Sequence, residues 1–208
     1  MPDFARDAER PQPAKVALRD RLLAVRRSKS PEELTSAASA IQSALATRVR
    51  LQSPKVIAAY APVGSEPGGR DLPEVLRAAA PTTSAVLLPV LLPDGDLDWA
   101  RYEGPSSLRS GPRGLLEPVG PRLSPAAIAQ ADLVVVPALA VDRHGLRMGR
   151  GGGSYDRALA RVPATAFTVA LLHDGELLNS VPAEPHDRRV RAVITPGQGL
   201  SEALDWTK

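Results

Sequence analysis

What most narrows the fold of this chain is a set of short, almost unbroken apolar runs rich in β-branched residues, separated by helical stretches. They are KVIAAY at residues 55–60, SAVLL at 84–88, DLVVV at 132–136, AFTVALL at 166–172 and VRAVIT at 190–195. A strand with one face in water alternates polar and apolar residues, so a near-continuous apolar run marks a strand buried on both faces. Helical patterns lie between several of them, at 72–80, 124–130 and 155–161. Strand, helix, strand in repetition predicts a three-layer α/β fold. Its sheet is mainly parallel and Rossmann-like, with helices on both faces and right-handed crossovers. LDWARY at 97–102 alternates and is expected as an edge strand or hairpin member.

An N-terminal helical pair precedes the sheet. Residues 15–27 place Val16, Leu18, Leu22, Leu23 and Val25 at a loose helical period. A second helix runs to about residue 49, opening on Ser30 as N-cap, Pro31 in the first turn and Glu33 as an early acid. Residues 1–14 are charged and proline-bearing, without an apolar signal core, and are expected to be a frayed tail. Residues 15–208 are read as a single domain. The stretch 91–125, rich in Pro and Gly, is expected to be a long irregular excursion, a kind of segment that often carries function.

Composition excludes several classes. There is no cysteine, so disulfides, thiolate catalysis and Cys-type zinc sites are out, which fits a cytoplasmic protein. No apolar run approaches the roughly 20 residues needed to span a bilayer. The formal net charge is +3 while the sequence pI is 9.6, because almost all the bases are arginines that stay charged at high pH. Such a modest excess suits an anionic small molecule better than nucleic acid, and 3% aromatic content argues against base-stacking platforms. His144, His173 and His186 are scattered and form no zinc motif. There is no GxSxG, and Ser154 is expected to cap a helix.

The most informative segment is VVVPALAVDRHGLRMGRGGGSYDRAL at 134–159. A buried strand ends near Pro137, DRHG makes a turn, and a glycine-rich run leads into a helix. Gly149, Gly151, Gly152 and Gly153 let backbone N–H groups approach a ligand closely and take positive φ. The helix that follows offers unpaired N–H groups and a partial positive end. Arg147 and Arg150 add forked donors suited to phosphate, and Asp156 supplies an oxygen able to hold Mg²⁺ beside it. The rival reading is a plain glycine turn at a helix start. The segment is not a P-loop, since no GK[ST] follows, nor the dinucleotide fingerprint.

This segment resembles the signature of the 5-formyltetrahydrofolate cyclo-ligase family, through Val141-Asp142, Gly145, Arg147, Gly149, Gly151, Gly153 and Tyr155-Asp156. The resemblance extends along the chain to a helix with Lys15 and Arg19 four residues apart, Tyr60 followed by Glu66, Gly111, Gly114 and Glu117-Pro118, and a late run with Pro182, His186, Asp187, Val190 and Thr195. It implies ATP as co-substrate with Mg²⁺, and 5-formyltetrahydrofolate, polyglutamylated or not, as substrate of a monomer. It implies that Lys15, Arg19, Arg147, Met148, Gly149, Arg150, Gly151, Gly152, Gly153, Ser154 and Tyr155 bind ATP. Glu66, Arg150, Gly151, Gly152, Gly153 and Ser154 would meet the folate, Asp156 and Asp187 the metal. Arg150 and Tyr155 would serve catalysis, Tyr155 by packing on a ligand unless it is simply core. Three positions depart from the family pattern: Ser154 for a tyrosine, Glu176 for a glutamine and Arg191 for an aspartate. The different-class alternatives are a non-catalytic nucleotide- or sugar-phosphate-binding module, a sugar-phosphate isomerase and a basic RNA-binding protein.

Overall fold

The computed structural model describes residues 13–184 and 187–202. Most of the proposed tail, and His186, therefore lie outside the described residues. Helix α1 (Pro13–Arg27) begins two residues earlier than expected. Helix α2 (Pro31–Gln52) starts as its sequence dictates. The Ser30 hydroxyl accepts from Glu33 N at 3.2 Å and the Glu33 carboxylate accepts from Ser30 N at 2.7 Å, a closed capping box.

Then follow β1 (Val56–Ala58), α3 (Leu72–Ala79), β2 (Ala85–Leu91), β3 (Leu97–Arg101), β4 (Leu108–Ser110), β5 (Leu116–Pro118), β6 (Leu133–Pro137), β7 (Ala140–Asp142), β8 (Arg147–Met148), α4 (Ser154–Leu159), β9 (Phe167–Leu171), β10 (Leu177–Leu178), β11 (Ala192–Thr195) and β12 (Gly199–Glu202). The main sheet has seven strands in the order β12-β11-β9-β6-β1-β2-β3. The five from β11 to β2 are mutually parallel. The antiparallel edges are β3 and β12.

Every parallel strand is buried on both faces, which is why the sequence shows apolar runs instead of alternation. Successive side chains point to opposite faces. Ile57, Val86, Leu88, Leu133, Val135, Val169 and Ile194 meet Ile41, Leu45, Val49, Leu72 and Leu76 of α2 and α3. Ala58, Leu87, Val134, Val136, Ala170 and Val193 meet Ile128 and, from α4, Ala158 and Leu159. The two N-terminal helices serve different cores. Helix α1 packs Leu22 on a small sheet, β10-β7-β8, with Leu139, Ala140, Leu146 and Met148.

Three local expectations need correction. Residues 124–130 form a 3-10 helix, Pro125–Gln130, entered through Ser124 at φ 76°. The excursion at 91–125 is more ordered than its Pro and Gly content suggests. It contains the edge strand β3, the β4–β5 hairpin and two short 3-10 turns, because Trp99 and Leu97 are buried under the sheet. The cap of α4 is Gly153 at φ 66°, not Ser154, since a left-handed cap suits a residue without Cβ.

From β1 the chain moves outward one way to β2 and the other way through β6 to β9 and β11, so the strand order reverses between β1 and β6. In open α/β sheets, ligands bind outside the carboxyl ends of the strands at such a switch point.

Candidate active site at the switch point

A cavity of about 590 Å³ opens there. Tyr60, Ala61, Val63 and Glu66 beyond β1 contribute to its wall, as do Pro137, Ala138 and Leu139 at the end of β6 and the loop from Gly149 to Asp156. Lys15, Arg19 and Arg26 enter from one stripe of α1, and Leu115 and Leu116 come from the β4–β5 hairpin.

The glycine loop is shaped by sterics. A Cβ on Gly149 would lie 2.8 Å from the Arg147 guanidinium. Gly151 has φ 100°, and a Cβ there would lie 3.3 Å from the guanidinium of Arg19. Arg19 Nε donates to the Gly149 carbonyl at 3.3 Å, so α1 rests directly on the loop.

The structure brings nearly all the expected residues into this one cavity but gives the charges distinct roles. Lys15 is buried, and its Nζ donates to Glu184 Oε2 at 2.5 Å and Asp187 Oδ2 at 2.8 Å. Burial acts to lower its pKa, yet the hydrogen bonds it donates to Asp187 and Glu184, with the attraction of their charges, outweigh burial and hold the ammonium above its ordinary 10.5. Arg147 is buried too, donating from Nη2 to Asp156 Oδ1 at 2.8 Å and from Nη1 to the Pro137 carbonyl at 3.3 Å. Arg150 is different: its side chain is 55% exposed and reaches Glu66 Oε1 at 3.1 Å. Glu66 Oε2 also accepts from Val63 N at 3.0 Å. Tyr155 is partly buried, bridges the two large core clusters and lines the cavity. Burial, then the Glu66 carboxylate, push its phenol well above the ordinary 10, so it stays neutral at pH 7.

Met148 corrects its expected place. Its side chain is fully buried in the α1 core and does not line the cavity, because the pleat of β8 sends Arg147 to the cavity and Met148 to the opposite face. Of the departures, Ser154 lines the cavity as the first residue of α4. Arg191 does not; its guanidinium donates to the Ala164 carbonyl. Glu176 is buried against Arg26. Sequence reasoning missed Arg26 and Glu184 as wall residues. The first was detectable as the continuation of the helical stripe through Lys15, Arg19 and Leu22. Nothing local marked the second.

Among the described residues no three acids or histidines cluster as a metal site. Mg²⁺ does not require that, since it usually takes one or two carboxylates and completes its shell with phosphate and water. Asp156 and Asp187 in one wall fit such a demand. Their Oδ1 and Oδ2 atoms respectively are engaged by Arg147 and Lys15, and the other oxygen of each is the candidate ligand atom.

A family model described as the 5-formyltetrahydrofolate cyclo-ligase family matches residues 11–196. The chain belongs to that family. A 5-formyltetrahydrofolate cyclo-ligase of Mycolicibacterium smegmatis is 44% identical over 153 residues, 71% of this chain and 77% of the relative. One of Escherichia coli K12 is 32% identical over 124 residues, 58% of this chain and 66% of the relative. The solved structure of Aquifex aeolicus 5,10-methenyltetrahydrofolate synthetase superimposes with a TM-score of 0.75 at 27% identity, covering 93% of this chain and 95% of that one. The Mycoplasma pneumoniae synthetase, at 20% identity and a TM-score of 0.68 over 86% of this chain and 96% of that one, supports the fold alone. This cyclo-ligase family member is thus an enzyme, and the family's co-substrate is ATP. No helix among its described residues is long and apolar enough to cross a membrane.

Proposed function

We propose that the chain closes 5-formyltetrahydrofolate into 5,10-methenyltetrahydrofolate, consuming ATP and releasing ADP and phosphate, with Mg²⁺ bound by Asp156 and Asp187. The observation that carries this reading is the single cavity in which the glycine loop and Arg150 meet Glu66 at the switch point.

The chemistry fits the parts. A formyl amide oxygen is a poor leaving group. Its attack on the γ-phosphorus of ATP breaks the bond to ADP and forms an imidate phosphate. The N10 amine then attacks the activated carbon, and phosphate departs with the former formyl oxygen as the methenyl bridge forms. Such a phosphoryl transfer asks the protein chiefly for positioning and charge neutralisation. The amides of residues 149–153 cradle the phosphates, and Arg19 with Arg150 neutralises them. Glu66 meets the reduced pterin. Lys15 and Arg147 orient Asp187 and Asp156. When bound, Mg²⁺ offsets phosphate charge as a Lewis acid.

The test is to mix purified protein, Mg-ATP and 5-formyltetrahydrofolate and follow methenyl absorbance. The signal should appear with all three and vanish when ATP or Mg²⁺ is omitted. No signal under any of these conditions overturns the reading.

A further inference from the structure

Beneath the cavity lies a buried ion pair that the reaction above does not use. Arg26 is 2% exposed and Glu176 3%. Arg26 Nε and Nη2 donate to Glu176 Oε1 and Oε2, both at 2.7 Å, and Nη2 also donates to the Ala138 carbonyl at 2.5 Å. A fork of this kind fixes both planes. Glu176 Oε2 accepts in turn from His173 N at 2.7 Å. The His173 ring then places Nε2 at 2.9 Å from the Ser65 carbonyl. A carbonyl can only accept, so Nε2 carries the proton and Nδ1 is the bare acceptor. Nδ1 has no partner among the described residues. Burial holds the imidazole below its ordinary 6.5, against the opposing pull of the Ser65 carbonyl, so the ring is neutral at pH 7.

Both ends of this chain of bonds reach the site. Arg26 stands on the α1 stripe with Lys15 and Arg19, and Ala138 follows β6 in the cavity wall. The Ser65 carbonyl belongs to the peptide that joins Ser65 to Glu66. A buried ion pair is a poor source of net stability, because desolvation offsets most of its attraction. Glu66 itself is tied to Val63 N in its own loop and to the exposed Arg150, so the direction of its carboxylate depends on what holds that loop from behind.

We propose that Arg26, Glu176 and His173 form a positioning relay that sets the Ser65–Glu66 peptide and so aims Glu66 at the folate. The relay rests on the assignment of Glu66 to the folate made above. It transmits no proton; its function is geometric.

The test compares His173→Phe, Glu66→Gln and the double variant in steady-state kinetics. His173→Phe keeps a ring of similar size, removes the donor and also removes the orphaned Nδ1. The expected result is a rise of about tenfold in KM for 5-formyltetrahydrofolate, the worth of one well-placed hydrogen bond. KM for ATP should stay within about twofold, with little change in melting temperature. In the Glu66→Gln background the same change should add almost nothing, since both act through one carboxylate. His173→Gln, whose amide can reach the Ser65 carbonyl, should restore most of the loss. Equal rises in both KM values, or effects that multiply in the double variant, overturn the relay. If His173→Phe fails to fold, Glu176→Gln replaces it, with the same split in KM expected and the same outcomes decisive. If Glu66→Gln alone leaves the folate KM unchanged, the assignment of Glu66 fails and the relay falls with it. If Glu66→Gln raises it and His173→Phe does not, the relay alone is wrong.

Discussion

Besides Arg26, which Glu176 holds, two cations in the cavity wall are clamped and two are loosely held. Lys15 and Arg147, with side chains 7% and 3% exposed, are each bound to carboxylates at 2.5–2.8 Å. Arg150 is more than half exposed and meets its partner at 3.1 Å, and Arg19 gives a single 3.3 Å bond to a loop carbonyl. The difference decides which charges can answer a ligand. Moving a clamped cation strands a buried carboxylate, at a cost of several kcal/mol. Moving Arg150 breaks an exposed pair worth about 1 kcal/mol or less, and moving the half-buried Arg19 gives up one long hydrogen bond to a carbonyl. In the proposed mechanism, Arg19, Arg150 and the glycine-loop amides are therefore the groups that turn to phosphate. Lys15 and Arg147 hold the acids that would face Mg²⁺.

The largest expected effect breaks the clamped side. Lys15→Met leaves Glu184 and Asp187 without their shared cation and should lower folding stability by about 3 kcal/mol. The drop would appear in the urea midpoint at unchanged m, and should shrink as the pH falls and the carboxylates protonate. A loss below about 0.5 kcal/mol, the level of an ordinary surface substitution, would erase the distinction between clamped and free.

Next comes the free side. Arg150→Ala should leave the melting temperature nearly unchanged and lower kcat/KM by roughly 30- to 1000-fold, about 2–4 kcal/mol, if the guanidinium meets the transferring phosphoryl group. A tenfold or smaller loss would remove Arg150 from that contact.

This contrast also marks where sequence reasoning stops. The parallel strands were legible because burial on both faces writes itself as an apolar run, and the opening of α2 because Ser30 and Glu33 stand at capping-box spacing. The residues of the site were legible as a set, through the glycine loop and the resemblance it carries. Their pairing was not. Lys15 meets Asp187 across 172 positions and Arg26 meets Glu176 across 150. No local spacing encodes such partners; they follow from the way α1 lies across the strand ends. The same limit explains Met148 and Ser154. A two-residue strand is too short to show its pleat in sequence, and the cap of α4 was settled by which residue could adopt positive φ.

The smallest effect sharpens the comparison through pH. The Lys15 ammonium is held above its ordinary 10.5 in the folded protein by Asp187 and Glu184, against the opposing effect of burial. Its contribution to stability is therefore fully present below the unfolded value of about 10.4 and is lost as the pH rises through the folded pKa. Within that window the folded state binds more protons than the unfolded one, so stability falls with increasing pH. Urea midpoints measured from pH 8 to pH 11.5 should stay level for this group up to about pH 10 and then decline. Tyrosines and other lysines titrate over the same range, so the informative quantity is the difference between the native protein and Lys15→Met. That difference should be constant from pH 8 to about pH 10 and narrow above it, as the native protein loses an interaction the variant never had. Parallel curves throughout would mean that Lys15 titrates as it does in the unfolded chain, and that the clamp holds it no more tightly than water does.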